Sequence, residues 1–321
     1  MASRNNFMII KYRKIWFFLS GTAVLASILA FAIVGLKWGI DFTGGSLVEV
    51  EFSVTRPSND AVNQVLTSVG IDNATIQPVE DTKMVMRFKE IDEATHQKLL
   101  TALEDKFKPE LNLEGAAEAG IVVDTKNAVQ ETRFDSIGPS LGQELKEKTV
   151  WAIIIALIAI ISYVAWAFRK VSKPIASWKY GLIAILALFH DIIITIGVFT
   201  LLGKFYGLEV NAPFVAALLT ILGYSVNDTI VVFDRTRENL VRRIGENFAQ
   251  IVQESLNEVI VRSINASFTV LIVLFAILLI GGSTLRDFTL ALIIGVAVGS
   301  YSSIFLASPL LVVWEKWMSK K

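Results

Sequence analysis

Six apolar stretches, near residues 15–36, 150–168, 181–202, 212–233, 264–281 and 288–313, restrict this chain more than any other feature. Each is close to the 20 residues that a helix needs to cross a hydrocarbon core about 30 Å thick. Charge is nearly absent inside the stretches, and Lys and Arg crowd their flanks. With 53% of residues hydrophobic, the pattern predicts a polytopic α-helical membrane protein with six transmembrane helices.

Short loops rich in Lys and Arg stay cytoplasmic, so the cations orient the bundle. Sixteen of them fall in four places: Arg4, Lys11, Arg13 and Lys14; Arg169, Lys170, Lys173 and Lys179; Arg235, Arg237, Arg242, Arg243 and Arg262; Lys316, Lys320 and Lys321. The short loops of the other side carry Lys204 and Arg286 alone. Both termini are therefore expected in the cytoplasm of a multi-pass membrane protein. Residues 1–36 form a tail and the first helix, 37–149 an extracytoplasmic domain, and 150–321 the other five helices. The 12 cations of segment 37–149 do not contradict this, because long translocated domains escape the rule. The first apolar stretch is longer than the 7–15 residues of a signal peptide and reads as an uncleaved anchor. No cysteine is present, so neither disulfides nor thiolate metal sites are available, and no metal or cofactor is expected.

The outer segment reads as a small α+β unit. Leu47, Val48, Val50 and Phe52 among Glu49 and Glu51 predict a half-buried strand. A helix fits 58–69, with Ser58 as N-cap and Gly70 as its stop. Strands at 73–79 and 82–88 flank a turn at Glu80-Asp81, a helix over 91–107 aligns Leu99, Leu100, Leu103 and Phe107, and a last strand is expected near 120–130. The order βαββαβ is that of a ferredoxin-like domain between the first two helices. Glycine-rich elements bound it: Gly39-Ile40-Asp41-Phe42-Thr43-Gly44-Gly45 after the first helix, and Ile137-Gly138-Pro139-Ser140-Leu141-Gly142, suited to a hinge, before the second. The cytoplasmic segment 235–263 repeats Leu240, Ile244, Phe248, Ile251, Val252 and Val259 at helical spacing opposite Arg237, Arg242 and Arg243. That predicts an amphipathic helix on the membrane surface, in contact with lipid headgroups.

Polar residues inside the apolar stretches carry the chemistry. Asp228, with Tyr224 and Asn227, sits where a carboxylate costs several kcal/mol unless it finds a partner or takes a proton. On a helix entering at 212 it lies roughly 9 Å past the midpoint, toward the cytoplasm. Arg262 begins about 6 Å shallower, within reach of an ion pair with it; the plainer reading is an interfacial Arg reaching for headgroups. His190 and Asp191 sit mid-helix in the third stretch, where a histidine suits proton transfer or, equally, a structural hydrogen bond to a carbonyl. Gly295, Gly299 and Ser303 make a small-residue stripe that lets helices approach closely.

Taken together, the Gly39–Gly45 motif, His190-Asp191, the run from Gly223-Tyr224-Ser225-Val226-Asn227-Asp228-Thr229 into Asp234-Arg235-Thr236-Arg237-Glu238-Asn239, and Arg262 resemble the SecF side of the SecD/SecF family, over nearly the whole chain. The resemblance implies an architecture like half of an RND-type transporter. It also implies a non-enzymatic subunit that works with SecD at the SecYEG channel, with YajC and YidC as further partners. There it draws unfolded preproteins outward on the proton motive force, with no role for nucleic acid. It assigns proton transport to the positions of Asp228 and Arg262. The short basic tail suits a stand-alone subunit, not a fused SecDF.

Two other functions compete with that expectation. An RND-like exporter of small molecules or lipids should carry a second large outer domain between the fifth and sixth helices, where Gly281 to Asp287 is a tight loop. An intramembrane aspartyl protease would need Asp191 and Asp228 as a dyad, yet their expected depths differ by about 9 Å.

Overall fold

A computed structural model describes residues 8–53, 55–79, 81–107, 128–167, 177–242, 245 and 247–318 of the 321-residue chain. It divides into two compact units, Trp38–Lys148 and Met1–Lys37 with Thr149–Lys321.

The smaller unit opens with one helical turn, α2 (Ile40–Thr43), then β1 (Gly45–Phe52), α3 (Asn59–Ser68), β2 (Thr75–Val79), β3 (Lys83–Phe88), α4 (Glu93–Phe107) and β4 (Val129–Ile137). All strand pairs are antiparallel, in the order β2-β3-β1-β4. Alternation along β1 sends Val48, Val50 and Phe52 to one face, where they pack with Met84, Met86, Val62, Leu66, Leu99 and Leu103. Leu47 lies on the opposite face with Val85 and Ile40. Ser58 caps α3 by accepting from Ala61 N at 3.3 Å, and Gly70 stops it at φ +83°. Asp92 caps α4, and the hydrogen bonds from Thr95 hold its carboxyl below the ordinary carboxylate range. That cap therefore weakens as the pH falls through the lowered value.

The last strand differs most from expectation. The last strand is Val129–Ile137, not 120–130, and residues 120–127 lie outside the described residues, as do Glu80 of the expected turn, Arg4, the loop cations Arg169, Lys170 and Lys173, and Lys320 and Lys321. Of the two glycines that enter β1, Gly44 has φ +72° and Gly45 φ +127°. A Cβ on Gly45 would stand 2.6 Å from the Phe88 carbonyl oxygen, so both conformation and space require glycine.

Because the small unit has its own core, a fragment of residues 38–148 is expected to fold alone and to unfold cooperatively in circular dichroism. Gly45→Val should lower its stability by more than the ~1–3 kcal/mol typical of a strained backbone position, through the added clash. An unstructured wild-type fragment, or an unchanged midpoint for the variant, would contradict this.

The larger unit holds α1 (Arg13–Val34), most of α5 (Pro139–Ala167), α6 (Ser177–Tyr206), α7 (Ala212–Val241), α8 (Phe248–Ile280), α9 (Gly282–Ser302), one π-helical turn (Ser303–Ala307) and α10 (Ser308–Met318). Among the described residues six spans are long and apolar enough to cross a membrane, the sixth running through α9, the π turn and α10. Asn211 caps α7 by accepting from Phe214 N at 2.9 Å, and Asn247 caps α8 by accepting from Gln250 N at 3.1 Å. In the π turn Ser308 Oγ donates to the Ser303 carbonyl at 3.0 Å. Leu311 and Val312, just beyond, are fully buried with Ile183, Phe233, Val252 and Leu256.

The expected surface helix over 235–263 is not one helix. Residues 235–241 end α7 and residues 248–263 begin α8; Arg243 and Ile244 lie outside the described residues. Phe248, Ile251, Val252 and Val259 are buried, because the apolar stripe faces the neighbouring helices. Arg235 bonds Glu238 and Glu258, and the Asn239 amide donates to Ser255 Oγ and Glu258 Oε2, both at 3.0 Å, tying α7 to α8 at this end.

Candidate functional site

Among the described residues two buried carboxylates of the helical unit sit near the middle of a helix: Asp191 on the 30-residue α6 and Asp228 on the 30-residue α7. Asp228 is closer to its helix midpoint than expected because α7 continues to Val241 instead of ending near 233.

Asp191 is 1% exposed. Its Oδ1 lies 2.9 Å from His190 Nδ1, and its Oδ2 accepts from Ser225 Oγ at 2.5 Å and Ser302 Oγ at 2.8 Å. The adjacent His190 thus bonds its own neighbour and not a backbone carbonyl. Its ring is stacked near Tyr301 at 6.3 Å, and Tyr301 OH lies 3.1 Å from Ser20 Oγ of α1. Charge-assisted hydrogen bonds of this kind satisfy a buried carboxylate without a full counterion.

Asp228 is 6% exposed and more sparsely held: its Oδ2 accepts from Ser267 Oγ on α8 at 3.5 Å. Ser267 in turn accepts from Tyr224 OH at 3.1 Å and from Ser300 Oγ at 2.5 Å. Thr229 Oγ1 and Ser303 Oγ, 2.8 Å apart, join α7 to the π turn. Residues 300–303 thus touch four helices in succession: α8 through Ser300, α1 through Tyr301, α6 through Ser302 and α7 through Ser303.

Two expected members stand apart. Arg262 is exposed and has no ion pair among the described residues, so the Asp228–Arg262 pair is not formed here. The cause is helical phase: Ser263 and Ser267, one turn apart, take the inward face, and Arg262 points about 100° away from Ser263. Asn227, next to Asp228, is likewise exposed. The two carboxylates also approach more closely in depth than expected. Asp191 meets Ser225, one turn or about 4.5 Å along α7 from Asp228, in place of the anticipated 9 Å.

Close backbone approach makes these contacts reachable. A Cβ on Gly295 would lie 2.1 Å from Ile221 Cδ1, one on Gly299 2.9 Å from Ser225 Cβ, and one on Gly197 2.2 Å from Ser27 Cβ. In the small unit Asp41 is half-buried on α2, beside the Gly44–Gly45 pair.

Sequence reasoning missed the hydroxyls Ser225, Thr229, Ser267, Ser300 and Ser302. A signal was present, since Ser263 and Ser267, and Ser225 and Thr229, recur at i, i+4 inside apolar stretches. Such hydroxyls usually back-bond their own helix, which leaves their cross-helix partners unreadable.

Known proteins resemble this chain in sequence and in fold. A family described as protein export membrane protein SecD/SecF, C-terminal, matches residues 119–317, and the SecD/SecF GG motif matches residues 29–55. The chain is 39% identical over 310 residues to a protein translocase subunit SecF of Thermobaculum terrenum, covering 96% of this chain and 93% of that one. It is 32% identical over 309 residues to a protein translocase subunit SecDF of Brucella abortus, covering 94% of this chain and 37% of that one. A crystal structure of SecDF, a translocon-associated membrane protein from Thermus thermophilus, matches with TM-score 0.78 and 31% identity over 98% of this chain; the chain spans 40% of that larger protein. With both family matches falling on the residues just described and identity running nearly end to end, the chain belongs to the SecD/SecF family of protein export membrane proteins, among its SecF subunits.

Proposed function

We propose that this SecF-type subunit works beside a SecD partner in the Sec translocase and couples proton movement through Asp228 to the outward passage of unfolded preproteins. The observation that carries the proposal is a mid-helix carboxylate, 6% exposed, with one hydroxyl donor at 3.5 Å and no cation in ion-pair range among the described residues. A carboxylate so placed is under-satisfied when charged and gains by taking a proton. The SecDF proteins among its relatives join both subunits in one chain, which supports SecD as the partner. SecYEG, YajC and YidC enter by the same kinship, as does a role without enzymatic chemistry or a cofactor.

In this reading the protein crosses the bacterial inner membrane six times with both termini cytoplasmic, on the strength of its cation distribution. The unit Trp38–Lys148 then lies outside, and its β-α-β-β-α-β order and β2-β3-β1-β4 sheet favour a ferredoxin-like fold for it. Asp191 and His190 form a second polar station, and Arg262 serves the proton path in a conformation other than the present one. The exporter alternative is disfavoured by the single residue, Gly281, between α8 and α9, and the protease by carboxylates held on separate hydroxyls.

Vesicles containing the chain with a SecD-type partner are expected to dissipate an imposed pH gradient faster than protein-free vesicles, and faster again with a preprotein engaged. Rates equal to protein-free vesicles under both conditions would overturn the proposal.

A further inference from the structure

Ser267, the one hydroxyl among the described residues that reaches Asp228, has two places to put its proton. Its Oγ lies 3.5 Å from Asp228 Oδ2 and 3.0 Å from the Ser263 carbonyl, one turn back on its own helix. Ser300 on α9 faces the same choice, 2.5 Å from Ser267 Oγ and 2.8 Å from the Val296 carbonyl. Each serine has one proton to donate and two lone pairs to accept with.

We propose that Ser267 and Ser300 are positioning residues that convert the charge of Asp228 into a tie between α8 and α9. With Asp228 charged, Ser267 donates to it, and the two lone pairs of Ser267 receive Tyr224 and Ser300, so α9 is bonded to α8. With Asp228 protonated, its O–H becomes the donor to Ser267. One lone pair is now taken by Asp228 and the other by Tyr224; Ser267 turns its proton to the Ser263 carbonyl and Ser300 turns to Val296. The α8–α9 bond is gone, yet Ser267 and Ser300 donate within their own helices and Tyr224 keeps Ser267 as its acceptor, so the inversion leaves no donor of the relay unpaired.

The inference rests on Asp228 as the proton carrier and adds how its state reaches a neighbouring helix. The groups facing Asp228 support the assignment. Its own helix offers Tyr224 and α8 offers Ser267. From α9 Ser300 arrives by way of Ser267. From α6 the Asp191–His190 pair engages Ser225 and Ser302 instead, and Arg262 of α8 is exposed. The relay therefore lies among hydroxyls, with no second charge bonded to it among the described residues.

The chain has no native cysteine, so spin labels can be placed at two exposed sites, Phe268 on α8 and Ala297 on α9, in the full chain with its partner in vesicles. The inter-label distance is expected to lengthen on acidification in the wild-type background. Asp228→Asn should abolish the shift. Ser300→Ala and Ser267→Ala should each give the lengthened distance at every pH, and Ser300→Thr should restore the shift. A full pH shift in both alanine variants, with none in Asp228→Asn, would overturn the relay and leave Asp228 as carrier. A wild-type shift that persists in Asp228→Asn would overturn the carrier reading itself, and no shift in the wild type would overturn the tie between α8 and α9.

Discussion

Asp228→Asn is expected to leave the protein assembled and to reduce proton-driven export to the background of protein-free vesicles. Asparagine keeps the volume of aspartate and can still accept from Ser267, so the packing of α7 against α8 and α9 should survive and the purified protein should elute and melt like the wild type. It cannot titrate. A charge moving across the field gains about 2.3 kcal/mol per 100 mV, and each pH unit adds about 1.4 kcal/mol. A single carboxylate can thus bias a two-state bundle decisively, and its removal removes the drive altogether. Arg262→Ala should also impair transport, and Arg262→Lys should restore part of it, the planar fork being lost. Since Arg262 is exposed in this structure, such a loss would mean that it meets its partner in another conformation or on another chain. Normal proton flux and export by Asp228→Asn would make Asp228 a structural residue.

Gly295→Leu is expected to break the α7–α9 packing. Even a Cβ there would lie 2.1, 2.4 and 2.8 Å from Cδ1, Cγ1 and Cγ2 of Ile221. Ile221 is 1% exposed and β-branched, so it has almost no room or rotamer to yield. Overpacking a core costs about 1–3 kcal/mol for a few extra methylenes, and a leucine placed between touching helices should exceed that. Gly299→Leu should follow by pushing on Ser225 and so on the Asp191 network. Thermal unfolding in detergent and retention of the partner both report the loss. Ile221→Ala combined with Gly295→Ala should recover more stability than the two changes add up to singly. Unchanged stability in Gly295→Leu would mean that the stripe faces lipid.

The spans were legible because about 20 apolar residues have few other uses, and β1, α3 and α4 because their alternation, cap and stop residues are local. What lies between helices was harder to read. Leu240, Phe248, Ile251, Val252 and Val259 make the same stripe whether it faces headgroups or another helix, and here it faces another helix. The last strand of the small unit mixes Gln130, Glu131, Thr132 and Arg133 with its apolar residues, as an edge strand can, so its sequence signal is weak. Asp228 and Asp191 stood out because a carboxylate inside an apolar stretch is rare. Their hydroxyl partners did not, because a serine in a helix looks the same when it bonds its own backbone.

The π turn at Ser303–Ala307 also fixes the protein's evolutionary latitude at its C-terminal end. Such a turn is one residue longer than the α-helical turn it replaces. Losing one residue within it would restore an ordinary helix and leave everything after Ser308 in its present rotational phase, because one turn would still stand where one turn stood. Leu311 and Val312 would stay in the core and Val313, 38% exposed, would stay outside it. The π turn is therefore the place where this end of the helix can lose a residue with its packing kept, whereas a deletion in the α-helical stretch from Ser308 onward would rotate all that follows by about 100°.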